Sequence, residues 1–277
     1  MLDEFIRKSL QEDIGDGDHS TLACIPSEAI GKAQLLVKES GVLAGVEVAK
    51  RIYELVDPSL RLTFNKKDGD HIQLGDIVFE VIGSSRNILS TERLVLNCMQ
   101  RMSGIATQTA QVLKVIEGCS TRILDTRKTT PGMRFLEKWA VKIGGGENHR
   151  FGLYDMIMLK DNHIDYAGGI KMAIEKTQVY LKQTGKKLKI EIEVRSMSEL
   201  DEVLENGGVD RIMLDNFTPE MLKGALAKIP STYETEASGG ITLENIRPYA
   251  ETGVQFISIG ALTHSVKSLD LSLKAQF

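Results

Sequence analysis

The chain has 277 residues, of which 42% are hydrophobic and 26% are charged, and its formal net charge is -4 at pH 7. These values predict a globular protein with a large core and exclude a disordered or fibrous class. The negative charge disfavours a general nucleic-acid binder. The amino terminus lacks the apolar core of a signal peptide, and no run reaches the roughly 20 apolar residues that span a bilayer. We therefore expect no membrane association and a cytoplasmic location.

Residues 1–110 are predicted to form a mixed α/β domain. From Lys32 to Val81, short strand-like runs alternate with turns that contain Gly-Asp pairs, which is typical of antiparallel strands. Residues 88–115 then follow the apolar spacing of a long helix, and Ser103-Gly104 predicts an interruption in that helix.

Residues 111–277 are predicted to form a second domain of a different kind. Short apolar runs rich in β-branched residues alternate with helical stretches, which indicates βα units and a parallel sheet. Only the residues from Thr121 onward are available for these units, whereas a complete eight-unit barrel needs about 250 residues. The pattern therefore favours an open or reduced α/β barrel, and residues 265–277 are a candidate to return to the first domain.

A group of cations predicts a site for a small anion. Between Arg122 and His163, eight Lys or Arg residues stand against five Asp or Glu residues, in a chain that is negative overall. The members that follow apolar runs or the glycine run at 144–146 are Arg127, Lys128, His149, Arg150 and Lys160. The alternative is that these cations lie on a solvated surface. That explanation is adequate for any one of them but less so for the whole group. By contrast, Arg134, Lys138 and Lys142 share one helix face by their spacing and are expected to be solvated or to face a partner.

Two carboxylates end later apolar runs, Glu193 and Asp215. At the carboxyl ends of parallel strands they would meet at one edge of the sheet, where Mg²⁺ and substrate phosphate oxygens suit them. Structural ion pairs are the alternative. Glu191 lies two residues before Glu193 on the same strand face, so the pattern leaves the choice between them open.

Two glycine turns occupy the last βα units. Ser238-Gly239-Gly240 precedes a helix expected from about Thr242, and Gly260 follows the run FISI. Barrels often hold a phosphate at such turns through backbone N–H groups and a helix N-terminus. An ordinary tight turn is the alternative for each.

Several long motifs, in this order, resemble the quinolinate phosphoribosyltransferase family over nearly the whole chain. They are EDIGDGDHST from Glu12, TERLVLNCMQRMSGIAT from Thr91, DTRKTTPGMR from Asp125, GGGENHRFGLYDMIMLKDNHI from Gly144, then EIEV, MLDNF, EASGGI and SIGALTHS. The resemblance implies a mixed α/β sandwich followed by an open α/β barrel like that of type II phosphoribosyltransferases. It also implies a homodimer in which Arg93 reaches the partner's active site.

The resemblance further assigns roles to matching residues. Those implied to bind quinolinate are Arg93, Arg127, His149, Arg150 and Lys160. The implied catalytic residues are Lys128, Glu193 and Asp215, the two carboxylates also serving Mg²⁺. The residues implied to hold the 5'-phosphate of phosphoribosyl pyrophosphate (PRPP) are Ser238, Gly239, Gly240 and Gly260. The family pattern favours Glu193 over Glu191.

The implied reaction transfers phosphoribose from PRPP to quinolinate with loss of CO₂ and gives nicotinate mononucleotide, on the de novo route to NAD. Two enzymatic alternatives remain: a phosphoribosyltransferase for another ring acid, and a Schiff-base lyase that uses Lys160. A non-catalytic phosphate-binding barrel is a third, although it has no use for two carboxylates beside an anion.

Overall fold

The structure is a computed structural model that describes residues 1–276. The described chain divides into two compact units. One unit contains residues 1–110, 130–145 and those from Ser265 onward, and the other contains residues 111–129 and 146–264. No pattern in the sequence had pointed to residues 130–145 as part of the first unit. Within the described residues, no helix is long and apolar enough to cross a membrane.

The strands of the first unit pair antiparallel, as the turn pattern predicted. They are β1 (Ile30–Val37), β2 (Gly41–Val42), β3 (Arg61–Phe64), β4 (His71–Ile72), β5 (Ile77–Ser84) and, near the end of the chain, β12 (Leu271–Gln276). Four of them form a sheet in the order β12-β1-β5-β3, and β2 pairs with β4. The register joins Leu35 to Leu273 and to Phe79, so that buried apolar side chains share one face of the sheet.

Five helices lie wholly or mostly in the first unit. They are α1 (Leu2–Ile14), α2 (His19–Cys24), α3 (Val46–Val56), α4 (Ser85–Val115) and α5 (Arg134–Ile143). The predicted interruption of the long helix was wrong, because α4 continues through Ser103 and Gly104. Ser103 Oγ donates to the carbonyl of Ala44, and a Cβ at Gly104 would collide with the main chain of Lys267. The small residues therefore permit close packing and do not end the helix.

Helix α5 corrects a second expectation. Lys138 was predicted to lie on a solvated or partner-facing side, but its exposed fraction is 1%. Its neighbour Glu137 is also buried and pairs with Arg101, whose Nη2 lies 2.9 Å from Oε1. The i, i+4 spacing places side chains on one helix face without specifying what that face meets.

The second unit is built on a parallel sheet. Its strands are β6 (Arg122–Leu124), β7 (Ile157–Leu159), β8 (Ile190–Val194), β9 (Arg211–Asp215), β10 (Glu234–Ser238) and β11 (Phe256–Ser258). They lie in the order β6-β11-β10-β9-β8-β7, and over residues 1–276 the outer strands β6 and β7 do not pair with each other. A sheet of six parallel strands that does not close agrees with the predicted open barrel.

Helices alternate with these strands. They are α6 (Asp161–Ala167), α7 (Ile170–Thr184), α8 (Met197–Asn206), α9 (Pro219–Lys228), α10 (Ile246–Ala250) and α11 (Ala261–His264). Two of them begin at a hydroxyl cap: Ser196 accepts the N–H of Glu199, and Thr218 accepts the N–H of Met221. Because all six strands are parallel, their carboxyl ends share one edge of the sheet.

Candidate active site

A cavity of about 790 Å³ opens at that edge, within the size range of small-molecule sites. Eleven of the residues singled out from the sequence line it. They are Arg127, Lys128, His149, Arg150, Lys160, Glu193, Asp215, Ser238, Gly239, Gly240 and Gly260. The strand ends of the sheet thus bring together cations, carboxylates and glycine turns that are far apart in the chain.

Two guanidinium groups, those of Arg127 and Arg150, line the cavity. Nε of Arg127 is buried and has no hydrogen-bond partner within residues 1–276. Arg150 donates from Nη1 to the carbonyl of Met156 at 3.0 Å. Burial lowers the pKa of Arg150, and the charge of Arg127 lowers it further. Two partly buried cations that repel each other favour a bound anion with two acceptor groups.

His149 lies below these cations with both ring nitrogens in contact with protein groups. Nδ1 accepts the N–H of Arg150 at 2.7 Å, and Nε2 lies 2.9 Å from Glu191 and 3.2 Å from Glu236. Burial lowers the pKa of His149, but the two carboxylates outweigh it and raise it, so Nε2 keeps its proton. The raised pKa favours the charged imidazolium, but an acceptor at Nδ1 needs a lone pair there, so the geometry selects the neutral ring with its proton on Nε2. The predicted contact of His149 with a substrate carboxylate stays a prediction.

Glu191, Glu236, His149 and Arg211 form what we call the buried cluster. By residue type, the histidine and the two glutamates could hold a metal ion. Nη1 of Arg211, however, lies 3.0 Å from Oε2 of Glu236 and supplies positive charge there. Burial and the charge of Glu236 raise the pKa of Glu191 to about 7. Arg211 therefore supplies positive charge beside the two glutamates, although Glu191 Oε1 and Oε2 and Glu236 Oε1 have no hydrogen-bond partner within residues 1–276. We assign the cluster a structural role.

Glu193 and Asp215, the mouth carboxylates, lie nearer to solvent on the same face of the sheet. Burial raises the pKa of both, and the charge of Asp215 contributes to the increase at Glu193. Nζ of Lys160 lies 3.3 Å from Oε2 of Glu193 and opposes that increase. Glu193 lines the cavity, whereas Glu191 does not and belongs to the buried cluster.

The glycine turns follow the neighbouring strands β10 and β11 and form another part of the cavity wall. Gly239 and Gly240 have φ values of +94° and +61°, which favour glycine. The helix expected from Thr242 begins only at Ile246, because the Asn245 side chain accepts the Thr242 N–H and holds a turn. This correction leaves the turn itself, rather than a long helix, as the candidate phosphate cradle.

Gly260 has a different role in the same wall. A Cβ at this position would lie 2.9 Å from Cδ of Lys128 and 3.2 Å from Nε2 of His264. The hydroxyl of Thr263 donates to the Lys128 carbonyl at 2.8 Å. The absence of a side chain at Gly260 thus lets the Lys128 stem lie against this turn.

Two further residues from the sequence lie elsewhere. Arg93 is exposed on α4, and no residue within 1–276 forms an ion pair with it. His163, which shares the cationic stretch, accepts the N–H of Lys160 at Nδ1 and so caps α6. A structural role is therefore sufficient for His163.

Sequence reasoning missed other cavity residues. His264 lines the cavity four residues after Gly260, and Asn216 lines it directly after Asp215. Glu236 lies at its floor. The motifs SIGALTHS and EASGGI contain His264 and Glu236, and their polar side chains next to candidate glycines were the available signal.

Family models match almost the whole chain. The model of the quinolinate phosphoribosyl transferase C-terminal domain matches residues 105–274, and that of the N-terminal domain matches residues 18–103.

Individual relatives agree. The chain is 47% identical to a chloroplastic carboxylating nicotinate-nucleotide pyrophosphorylase of Arabidopsis thaliana, over 97% of this chain and 81% of that protein. It is 43% identical to a probable enzyme of the same name from Bacillus subtilis, over 99% and 93% of the two chains. The crystal structure of NadC from Streptococcus pyogenes is similar with a TM-score of 0.93 and 40% identity, over 100% of this chain and 97% of that one. The chain belongs to the quinolinate phosphoribosyl transferase family.

Proposed function

We propose that this protein transfers the phosphoribosyl group of PRPP to quinolinate and removes the 2-carboxylate, giving nicotinate mononucleotide, CO₂ and pyrophosphate. The arrangement of Arg127 and Arg150 carries this assignment. Two partly buried guanidinium groups, close enough for Arg127 to lower the pKa of Arg150, suit a rigid acid with adjacent carboxylates, because each can bind one carboxylate in a bidentate manner. Family membership and the names of the relatives support the same reaction.

The mouth carboxylates fit a role for Mg²⁺. Burial and mutual repulsion raise the pKa of Glu193, and burial raises that of Asp215, so a nearby cation would stabilise their charged forms. Mg²⁺ is usually held by one or two carboxylates together with substrate phosphates, and a bound ion would neutralise pyrophosphate as it leaves. Glu193 and Asp215 are the residues that would hold it.

The remaining steps belong to the side chains of the chain itself. Arg127 and Arg150 hold the ring acid so that its nitrogen faces the anomeric carbon of the donor. Lys128, which projects from the Gly260 wall, stabilises the charge that develops on the leaving group. The mouth carboxylates stabilise the positive charge that develops on the ribose. Once the ring nitrogen is alkylated, it accepts the electrons of the departing carboxylate, and C2 then takes up one proton.

Lys160 bears on the lyase alternative. Its ammonium group pairs with Glu193. A Schiff base forms from an amine that is free to attack a carbonyl carbon, whereas this Nζ is held in an ion pair. The ion pair therefore supports a role in anion binding over covalent catalysis.

Our proposal includes a homodimer in which Arg93 completes the partner's site. Arg93 is exposed, and no group within residues 1–276 neutralises it, which suits a residue that contacts an anion elsewhere. A cytoplasmic location also stays a prediction.

The first test supplies quinolinate, PRPP and Mg²⁺ to the purified protein and measures CO₂ and nicotinate mononucleotide. Nicotinate is the control acceptor, since it lacks the 2-carboxylate. Product from quinolinate alone is the expected result. Absence of product from quinolinate, in a protein shown to be folded, contradicts the proposed reaction.

The dimer is tested by mixing subunits. Arg93→Ala and Lys128→Ala proteins are expected to be weakly active separately, and to recover activity after subunit exchange, because the mixed dimer contains one site with both residues. Exchange is verified with differently tagged subunits. Verified exchange without recovery contradicts the shared site.

A further inference from the structure

Asn216 follows β9 directly and lies between the mouth carboxylates and the glycine turn. Its φ is +57°, and among residues 1–276 no other residue except glycine has a positive φ. An L-residue in this region is strained, and such strain persists only where surrounding contacts impose it. The contacts of Asn216 therefore hold it in this conformation.

The first contact is with its neighbour Asp215. Nδ2 of Asn216 donates to Oδ2 of Asp215 at 2.7 Å, while the backbone N–H of Asn216 donates to the carbonyl of Ser238 at 2.9 Å. The left-handed turn thus extends the pairing of β9 with β10 and directs the amide back to the carboxylate. Because the amide is neutral, it orients Asp215 without neutralising its charge.

The second contact is with Gly239 in the glycine turn. A Cβ built on Gly239 would lie 2.7 Å from Cγ of Asn216 and 2.9 Å from its backbone N, and closer still to Oδ1. No side chain fits there, so the Asn216 amide lies directly against the Gly239 backbone. One side chain therefore contacts both a carboxylate at the end of β9 and the turn that follows the neighbouring strand β10.

We propose that Asn216 is a positioning residue that fixes Asp215 relative to the Gly239 turn. This inference rests on the proposed function, in which these two groups receive the same donor substrate from its two ends. A fixed separation between them would preorganise the site for the donor and would leave the ring acid unaffected.

A simpler explanation is that asparagine stands here only because it tolerates positive φ. Asn216→Gly distinguishes the two explanations, since it keeps the backbone conformation and removes the amide. Asn216→Asp keeps the shape of the side chain and places an oxygen against Asp215 in place of the donor. Asn206→Gly is the matched control, because Asn206 is exposed at the end of α8 and bonds only locally, to the Glu202 carbonyl.

The experiment measures binding of pyrophosphate with Mg²⁺ by titration calorimetry, together with KM for PRPP and for quinolinate. For Asn216→Gly we expect binding of magnesium pyrophosphate to weaken about tenfold and KM for PRPP to rise by a similar factor, the usual effect of losing a hydrogen bond to a charged group. The KM for quinolinate should stay within about twofold, as for independent sites. Asn216→Asp should weaken pyrophosphate binding further, and Asn206→Gly should match the wild type.

Wild-type pyrophosphate binding by Asn216→Gly would overturn the proposal in favour of conformational tolerance alone. Equal losses for PRPP and quinolinate, with a lowered Tm, would overturn it in favour of a general structural role. If the wild type binds magnesium pyrophosphate but shows no turnover, the proposed function fails. The binding comparison between variants then still decides whether Asn216 positions the site.

Discussion

The buried cluster and the mouth carboxylates lie on the same face of one sheet and differ in what balances their charge. Glu191 and Glu193 are two residues apart on β8. At the deeper level, Glu236 contacts both His149 and Arg211. At the mouth, Lys160 pairs with Glu193 but leaves the pKa of both mouth carboxylates raised. Two internal bases, His149 and Arg211, beside two buried glutamates suit a structural group, whereas one lysine near two half-buried carboxylates suits a site whose substrate or metal supplies charge.

The largest effect that this comparison predicts is on stability at the buried cluster. Glu236→Ala should lower the free energy of unfolding by about 3–5 kcal/mol, because it leaves the buried Arg211 charge without one of its two carboxylate partners. Urea denaturation measures the change. Glu251→Ala is the control, since its pair with Arg247 is exposed and should contribute less than about 1 kcal/mol. Similar losses in both variants would contradict the structural role of the cluster.

The next largest effect is on turnover at the mouth. Lys128→Ala should lower kcat by about 10²–10³-fold, because the lost charge stabilises the leaving group mainly in the transition state. Its KM for quinolinate should change little. The measurement is steady-state release of CO₂, with Tm as the control for folding. A change confined to KM would assign Lys128 to substrate binding instead.

Arg127→Ala should have a smaller effect, on substrate binding and not on turnover. We expect KM for quinolinate to rise by a factor that corresponds to about 1.5–3 kcal/mol, since the substrate contact exists before and during the reaction. The kcat should fall much less than for Lys128→Ala. Equal effects of the two substitutions on both parameters would defeat the separation between binding and turnover.

The sequence predicted the architecture and the composition of the cavity better than the orientation of particular side chains. Strand ends in a parallel sheet meet at one edge, so Lys160, Glu193 and Asp215 could be grouped from their positions alone. The two-residue repeat of a strand places Glu191 and Glu193 on one face of the sheet. It does not show how far each side chain lies from solvent, and that distance gives the two residues different environments.

The errors have a similar cause. Lys138 was assigned to a solvated or partner-facing side because spacing defines a helix face without its surroundings, and Gly104 indicated a break although a distant main chain required its small size. Asn216 gave no signal, since its left-handed conformation depends on contacts with the neighbouring strand. Each of these properties depends on residues distant in the chain.

The smallest predicted effect is a gain in stability at the mouth. Glu193→Gln and Asp215→Asn should each raise the free energy of unfolding near neutral pH, by about 0.5–2 kcal/mol at most, because they remove charges that the fold holds at a disadvantage. Partial exposure keeps the gain small through solvent screening. Both substitutions should reduce turnover, which separates the mouth from the buried cluster.

The direction of the pH dependence follows from the raised pKa values. A carboxyl whose pKa is higher in the folded than in the unfolded state destabilises the fold once it ionises, and it has no such effect when it is protonated in both states. The gain from Glu193→Gln should therefore be absent below the ordinary carboxyl pKa of about 4.3, grow as the pH rises above it, and level off once the folded-state carboxyl is ionised. Denaturation series with a metal chelator present measure it. A loss of stability in the variant at pH 8 would mean that the ion pair with Lys160 stabilises the charged form of Glu193 by more than burial destabilises it. The mouth carboxylates would then be paired within the protein, as the buried cluster is.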